Sequence, residues 1–220
     1  MRRIFISDEI KSKLPEIRLG LLEADIRVVN NISELDDRLE QEIDILFNKY
    51  EVEDIKNRPI IEATRNAYKN LGKDPNRYRP SAEALSRRIV QGKGLYQVNN
   101  AVDIVNWLSF VSGFSIGAYD LNQIVGDIYL DIAPEGVPYE AIGRGKLNVS
   151  SLPALKDDQG YFGTPTSDSD RTCIKPSTSK MIMVFYDFNG KADLDLWLKQ
   201  SAEWFEQFAG AENINTDILK

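Results

Sequence analysis

The amino-acid sequence predicts an α+β fold, a layered β/α domain with a mixed sheet and a buried central helix. Helical and strand patterns follow one another without the regular alternation of a doubly wound sheet. The stretch 100–112 is apolar nearly all round, which is typical of a helix in the middle of a domain. The chain has 220 residues, of which 42% are hydrophobic, and is therefore long enough to bury a sizeable core.

The first half of the chain is expected to hold two strands followed by helices. Apolar and β-branched residues predict strands over 2–6 and 17–30. Ser33 begins a sequence that resembles a capping box, and apolar residues then recur at helical spacing. Pro59 and Ser81 suit the first turns of two further helices, and glycines follow their ends. Helices are thus predicted over 34–49, from Pro59 to Gly72, over 81–90 and over 100–112.

The second half is predicted to consist mainly of strands separated by Gly and Pro. A Gly/Ser/Thr/Asp-rich stretch over about 143–180 is predicted to be irregular, and loops of that composition often carry function. Residues 1–220 are taken as a single domain with a strand and helix extension at 1–60, an editing-like core at 60–190 and a C-terminal helix at 191–220. The strands are expected at 115–119, 124–132, 138–142 and 181–188, and the closing helix at 193–208.

Composition excludes several kinds of active site. The sequence has no histidine, so a Ser-His-Asp triad, a Cys-His pair and a histidine-ligated metal are ruled out. The single Cys173 rules out a disulfide within the chain. The GRG at 143–145 is too short to cradle phosphate, and no metal or cofactor is expected. Four loop carboxylates fit no calcium-binding pattern and are interpreted as turn residues: Asp157, Asp158, Asp168 and Asp170.

The distribution of apolar residues predicts where in the cell the protein is located. It contains no apolar run of the ~18 residues that a membrane span requires. Its first residues, MRRIFISDEIKSK, lack the apolar stretch of a signal peptide. A cytoplasmic location is therefore expected.

Positive charge is concentrated in one segment of an otherwise acidic chain. The formal net charge is −7, but residues 65–93 contain eight Lys and Arg and only two acidic residues. A polyanion such as RNA could dock there, because phosphate affinity depends on the number of local cations. The alternative is an ordinary solvated helical surface. The predicted RNA-binding residues are Arg77, Arg79, Arg87, Arg88 and Lys93.

Two groups of polar residues stand out as candidate site residues. Asn99, Asn100, Asp103 and Asn106 lie on or beside the apolar helix at 100–112. Such buried polar groups either pin neighbouring loops or line a pocket, since leaving them unpaired costs roughly 1–3 kcal/mol each. The second group is DSDRT at 168–172 with Ser177 and Thr178, where an arginine and hydroxyls could bind a carboxylate or phosphate or could form an ordinary capped turn.

The stretch 96–136 resembles the editing domain in the beta subunit of bacterial phenylalanyl-tRNA synthetase. That family has a pattern close to INNVVDVTNYV, GQPLHAFD and IVRAxEGE, and here the corresponding stretch is NNAVDIVNWLSFVSGFSIGAYDLNQIVGDIYLDIAPEG. The similarity extends loosely over about 60–190, and DSDRT resembles a motif of free-standing relatives. The matching residues are Asn99, Asn100, Val102, Asp103, Asn106, Gly113, Ala118, Asp120, Ala133, Glu135 and Gly136.

The resemblance implies a fold of the editing-domain type and an activity on mischarged tRNA. In the synthetase this domain removes tyrosine wrongly attached to the phenylalanine tRNA, and a glutamate recognises the tyrosine hydroxyl. That glutamate corresponds to Glu135 here, and the family histidine corresponds to Gly117, which alters the space or polarity of the pocket. The remaining implied substrate-binding residues are Asn100, Asp103, Asn106, Arg171, Thr172 and Thr178.

Two functional hypotheses follow. The first is a stand-alone editing protein that binds tRNA and hydrolyses a mischarged aminoacyl ester, with no protein nucleophile identified as catalytic. The second is a non-catalytic module that binds an amino acid or small metabolite, which the acidic net charge favours. Ligation of phenylalanine or another amino acid to tRNA is not expected of either, since no ATP-binding motif is present.

Overall fold

The computed structural model describes residues 2–30 and 32–220. Six α-helices and ten strands are assigned in this part of the chain, together with short 3-10 turns. The helices are α1 (Asp8–Lys13), α2 (Ser33–Lys49), α3 (Pro59–Asn70), α4 (Ser81–Val90), α5 (Asn100–Ser112) and α6 (Leu194–Ala209). The strands are β1 (Ile4–Ile6), β2 (Arg18–Asp25), β3 (Ile116–Asp120), β4 (Ile128–Ile132), β5 (Glu140–Ala141), β6 (Gly145–Lys146), β7 (Pro153–Asp157), β8 (Gly160–Gly163), β9 (Lys180–Asp187) and β10 (Glu212–Leu219).

Two four-stranded sheets form the framework. The central sheet has the order β10-β2-β9-β3 and is antiparallel throughout. The second sheet has the order β1-β4-β7-β8 and is mixed, because β1 runs parallel to β4. A two-stranded ribbon, β5-β6, lies apart from both. The predicted α+β class with a mixed sheet is confirmed.

The central sheet is buried on both faces. Met181, Met183 and Phe185 of β9 pack with α2, α4, α5 and α6 in the largest core cluster. On the other face, Ile182 and Val184 of β9 and Leu19 and Leu21 of β2 pack against the second sheet. The strand β9 is therefore a nearly continuous apolar run, as is typical of a strand covered on both sides. The resulting order of layers is helices, central sheet and second sheet.

Helix α5 is the predicted buried central helix. Phe110 has no exposed surface, and Trp107 is 5% exposed and stacks on Trp204 with 3.5 Å between ring centroids. Asn99 caps the first turn, where its side chain accepts a hydrogen bond from the Val102 amide at 3.0 Å. At the other end the buried Arg58 guanidinium donates to the carbonyls of the last turn.

Several sequence predictions about elements were wrong. The stretch 143–180 is not uniformly irregular, because β7 and β8 form a hairpin there and contribute half of the second sheet. Residues 212–219 form the edge strand β10 rather than part of a C-terminal helix. Helix α1 was not predicted, and the strand expected over 138–142 is only two residues long. These segments are short or mostly polar, so their periodicity is weak.

Candidate functional site

A cavity of about 370 Å³ lies between α4, α5, β3 and the loops around Ser167 and Cys173. Its walls are mainly apolar and include Leu85, Val102, Val105, Ile116, Ile142 and Ile174. Its polar lining groups are Ser81, Asn106, Ser109, Arg144, Ser167, Asp168 and Cys173. An apolar cavity with a few convergent polar groups is the usual form of a small-molecule site.

Asp168 is the distinctive polar group of this cavity. The phenol of Tyr119 donates a hydrogen bond to Asp168 Oδ1 at 2.8 Å. Burial raises the pKa of the Asp168 carboxyl to about 7, while the Tyr119 phenol and the backbone at Ala118 and Thr164 oppose the rise. A carboxylate with a pKa near neutrality is suited to accept and return a proton. The sequence pattern around Asp168 predicts a turn residue, although Asp168 is the first residue of the DSDRT motif.

Several side-chain groups in the cavity have unused hydrogen-bonding capacity. The Ser81 hydroxyl is buried and has no hydrogen-bond partner within the described part of the chain. Asn106 projects from α5 into the cavity, and among the residues described here its amide makes no side-chain hydrogen bond. The Ser109 hydroxyl, in contrast, donates to the Phe114 carbonyl at 2.7 Å. Ser81 and Asn106 are thus available to bind a ligand, and so is the exposed Arg144 guanidinium, which makes no side-chain hydrogen bond or ion pair with a described residue.

The other polar residues around α5 hold the structure together. Asn100 accepts from the Val29 amide and donates to the carbonyls of Arg27 and Phe208, so it joins three segments. The Asp103 carboxylate accepts from the Val98 amide at 3.0 Å, and burial raises the pKa of this carboxyl to about 6. Of the predicted α5 residues, Asn106 is the one that lines the cavity beside Asp168.

Asp103 and Asn106 also border a second, wider cavity of about 580 Å³ between α2 and the loop at 94–97. Acidic residues of α2 and the side chains of Leu95 and Tyr96 complete its wall. Asn106 therefore lies between the two cavities.

The predicted Arg171, Thr172 and Thr178 lie outside the 370 Å³ cavity. The Arg171 guanidinium donates to both carboxylate oxygens of Asp157, at 3.0 and 2.8 Å, and so clamps the β7–β8 hairpin. Thr178 donates to Asp120 Oδ2 at 2.8 Å, while the buried Thr172 hydroxyl has no partner within the described residues.

Glu135 and Gly117 are also placed away from the cavity lining. Glu135 is exposed in the loop between β4 and β5. Gly117 is buried, and it faces the side of β3 opposite to Ile116 and Ala118, which line the cavity. The space left by its missing side chain is filled by the hydroxyl end of Tyr119.

Much of the positive segment 65–93 is paired internally. The buried Glu83 carboxylate contacts the guanidinium groups of Arg65 at 2.7 Å, Arg79 at 3.5 Å and Arg87 at 3.9 Å. Arg88 lies over the Tyr96 ring, 4.0 Å from its centroid. Arg77 is exposed and makes no ion pair with a described residue. The net charge of this segment thus overstates the number of cations available to a polyanion.

No group of three or more Cys, Asp or Glu side chains within residues 2–30 and 32–220 is arranged to hold a metal ion. In the same ranges, no helix combines the length and apolar character needed to cross a bilayer.

Comparison with known proteins identifies the family. No curated protein matches this chain significantly. One similar solved structure is an N-terminal fragment of the phenylalanyl-tRNA synthetase beta subunit from Pyrococcus horikoshii, with 13% identity and a TM-score of 0.47. The match covers 96% of this chain and 50% of that fragment, so this chain spans about half of its length. The family model of the B3/4 domain matches residues 63–202, which is more than half of the sequence. The chain therefore belongs to the B3/4 domain family, as the resemblance at 96–136 predicted.

Proposed function

We propose that this B3/4-domain protein binds tRNA and hydrolyses the ester bond of a mischarged aminoacyl-tRNA. The observation that carries the proposal is the cavity of about 370 Å³ with Asp168 in its wall. Its volume suits an amino-acid moiety, and its mainly apolar lining can contact an amino-acid side chain. Family membership supports a role connected with tRNA synthetases.

Asp168 acts as the general base in the proposed reaction. Its ionised carboxylate takes a proton from a water molecule while the water oxygen bonds to the ester carbonyl carbon. The resulting tetrahedral intermediate collapses, the bond from carbon to the ribose oxygen breaks, and the ribose oxygen receives the proton from Asp168. The products are the free amino acid and tRNA, and Asp168 returns to its ionised state.

Ser81 and Asn106 supply hydrogen bonds to the oxygen that becomes negatively charged. The buried Ser81 hydroxyl has no partner within the described residues, and the Asn106 amide also faces the cavity. Donors that are already in place stabilise a developing oxyanion without reorganisation. This arrangement needs no histidine, in keeping with the composition of the chain.

The test is deacylation of a panel of tRNAs charged with non-cognate amino acids. The expected result is release of at least one amino acid at a rate above that of spontaneous hydrolysis. Glu135→Ala belongs in the same panel, because the resemblance assigns Glu135 to side-chain recognition. A decrease in the rate of Glu135→Ala that is confined to tyrosine would support that role. The same ratio of variant rate to parent rate for every amino acid would exclude it.

A binding module is the second candidate function. It is favoured by the internal pairing of the arginines with Glu83 and by the net charge of −7. In that case the protein would bind a free amino acid in calorimetry and would leave every charged tRNA intact. These two results together would show that the protein is a binding module and not a hydrolase.

Arg77→Glu is expected to weaken tRNA binding and to reduce the slope of log affinity against log salt by about one unit. Arg77 is the better choice among the predicted RNA-binding arginines, because reversing Arg79 or Arg87 would also remove a partner of buried Glu83. Binding is measured by fluorescence anisotropy at several salt concentrations.

Lys199→Glu is the matched control, since Lys199 is highly exposed on α6 and distant in sequence from the basic segment. Equal losses of tRNA affinity in both variants would exclude a specific RNA contact at Arg77 and would point to an effect of net charge.

A further inference from the structure

Tyr119 is held in a seat formed by two glycines. Its ring is fully buried and packs edge-on against Phe162, with 4.9 Å between centroids. A Cβ atom built on Gly117 or on Gly163 would overlap the Tyr119 hydroxyl and would lie 2.9 Å from a ring carbon. Real Cβ contacts are essentially never closer than 3.0 Å. Neither glycine has a positive φ, so space rather than backbone conformation explains both.

The glycine seat directs the phenol toward the candidate site. Gly117 lies two residues before Tyr119 on β3, and Gly163 ends β8 in the other sheet. The hydroxyl between them donates to Asp168 Oδ1 at 2.8 Å and lies 3.4 Å from the hydroxyl of Tyr186. One Asp168 oxygen is therefore fixed by a contact between residues 49 positions apart in the sequence.

We infer that Tyr119 is a positioning residue that orients the Asp168 carboxyl at the cavity wall, and that Gly117 and Gly163 serve to seat its hydroxyl. The expected effect on deacylation kinetics rests on the proposed hydrolase function. The hydrogen bond from Tyr119 to Asp168 does not depend on that function, because it affects the protonation of Asp168 whether or not tRNA is the substrate.

The titratable groups around Asp168 come from several elements. Tyr119 of β3, Tyr186 of β9 and Tyr139 in the loop before β5 all face it, and their own pKa values are raised by burial and by its negative charge. Arg144 and Cys173 line other parts of the same cavity. Of these groups, the Tyr119 phenol donates directly to the carboxylate, and it therefore stabilises the ionised form.

Tyr119→Phe tests the inference, because it removes one oxygen and keeps the ring. The pKa of Asp168 is expected to rise by about one unit, since a hydrogen bond to the charged form is lost. Carboxyl carbon NMR measures that titration directly. In deacylation the acid limb of kcat should move to higher pH by the same amount, with little change in KM.

Tyr68→Phe is the matched control. Tyr68 is also fully buried, and its hydroxyl is hydrogen-bonded to Thr166 Oγ1 at 2.8 Å and not to Asp168. This variant should lose stability without moving the titration of Asp168. Gly117→Ala is a second way to break the hydrogen bond from Tyr119 to Asp168. Its methyl group displaces the Tyr119 hydroxyl, so this variant should also raise the pKa of Asp168.

The outcomes separate the two proposals. If the Asp168 titration shifts in Tyr119→Phe and Gly117→Ala but not in Tyr68→Phe, the positioning role is supported, even if the parent protein deacylates none of the tRNAs. An unchanged titration in both Tyr119→Phe and Gly117→Ala would overturn the inference, even if the parent protein is an active hydrolase.

Discussion

Asp168→Asn is expected to reduce deacylation by about 10²- to 10⁴-fold, the usual contribution of general base catalysis. The amide keeps the size of the carboxyl group but cannot accept the proton of the attacking water. Steady-state rates with the amino acid and tRNA pair identified by the panel measure this effect. Asp170→Asn is the matched control, because Asp170 belongs to the same DSDRT motif but is exposed and does not line the cavity. Equal rates for Asp168→Asn and the parent would exclude the general-base role.

The same assignment predicts the pH dependence of the parent enzyme. Burial raises the pKa of Asp168 to about 7, so the carboxyl is largely protonated and inactive as a base below that pH. The rate should therefore increase as pH rises through about 7 and then level off. A rate that already levels off near pH 5 would assign the essential base to a different group.

Asp168 also links pH to stability. The pKa of its carboxyl is raised in the folded state, so the folded state binds its proton more tightly than the unfolded chain does. Its contribution to stability is thus fully present below the unfolded pKa of about 4 and is lost as pH rises through about 7. Asp168→Asn should remove this part of the pH dependence, as thermal melts of parent and variant between pH 4 and 8 would show.

Phe110→Ala is expected to lower the free energy of unfolding by about 3–5 kcal/mol. Phe110 has no exposed surface and belongs to the largest core cluster, where α5 contacts both other helices and the central sheet. The truncation removes apolar contact and leaves a cavity that the surrounding layers cannot fill. Urea unfolding followed by circular dichroism measures the change.

Phe47→Ala provides the matched control for this aromatic truncation. The Phe47 side chain is 49% exposed on α2, so its loss should cost less than about 1 kcal/mol. If the two variants unfold at the same urea concentration, α5 is not the structural centre of the protein.

Local sequence pattern was sufficient for the long helices but not for every strand. Helix α5 was predicted at its observed bounds because apolar residues on all sides, a capping Asn99 and a terminal Gly113 agree with one another. Strand β10 was missed because its sequence, ENINTDIL, is largely polar and pairs with β2 at the edge of the central sheet. Pairing with a distant strand, rather than its own periodicity, makes this segment a strand.

The residues of the candidate site were likewise predicted only where local sequence pattern identifies them. The motif at 99–136 led to the family and to Asn106, because a helix places residues three or four apart on one face. It did not lead to Asp168 as a site residue, since nothing local distinguishes that carboxylate from the turn residues Asp157, Asp158 and Asp170. The raised pKa of Asp168 comes from burial beneath segments that are distant in sequence.

The sequence alone was enough to determine the α+β class, the central helix, the absence of histidine chemistry and the resemblance to a tRNA-editing domain. These properties depend on composition and on short-range spacing. Tertiary structure decided which polar groups form hydrogen bonds that hold the fold together, as Asn100 and Arg171 do, and which polar groups face the cavity. It also explains Gly163, whose missing side chain accommodates the Tyr119 hydroxyl of β3 where β8 comes close to that strand. Burial and hydrogen-bond partners depend on these long-range contacts, and they determine which carboxylate is suited to proton transfer.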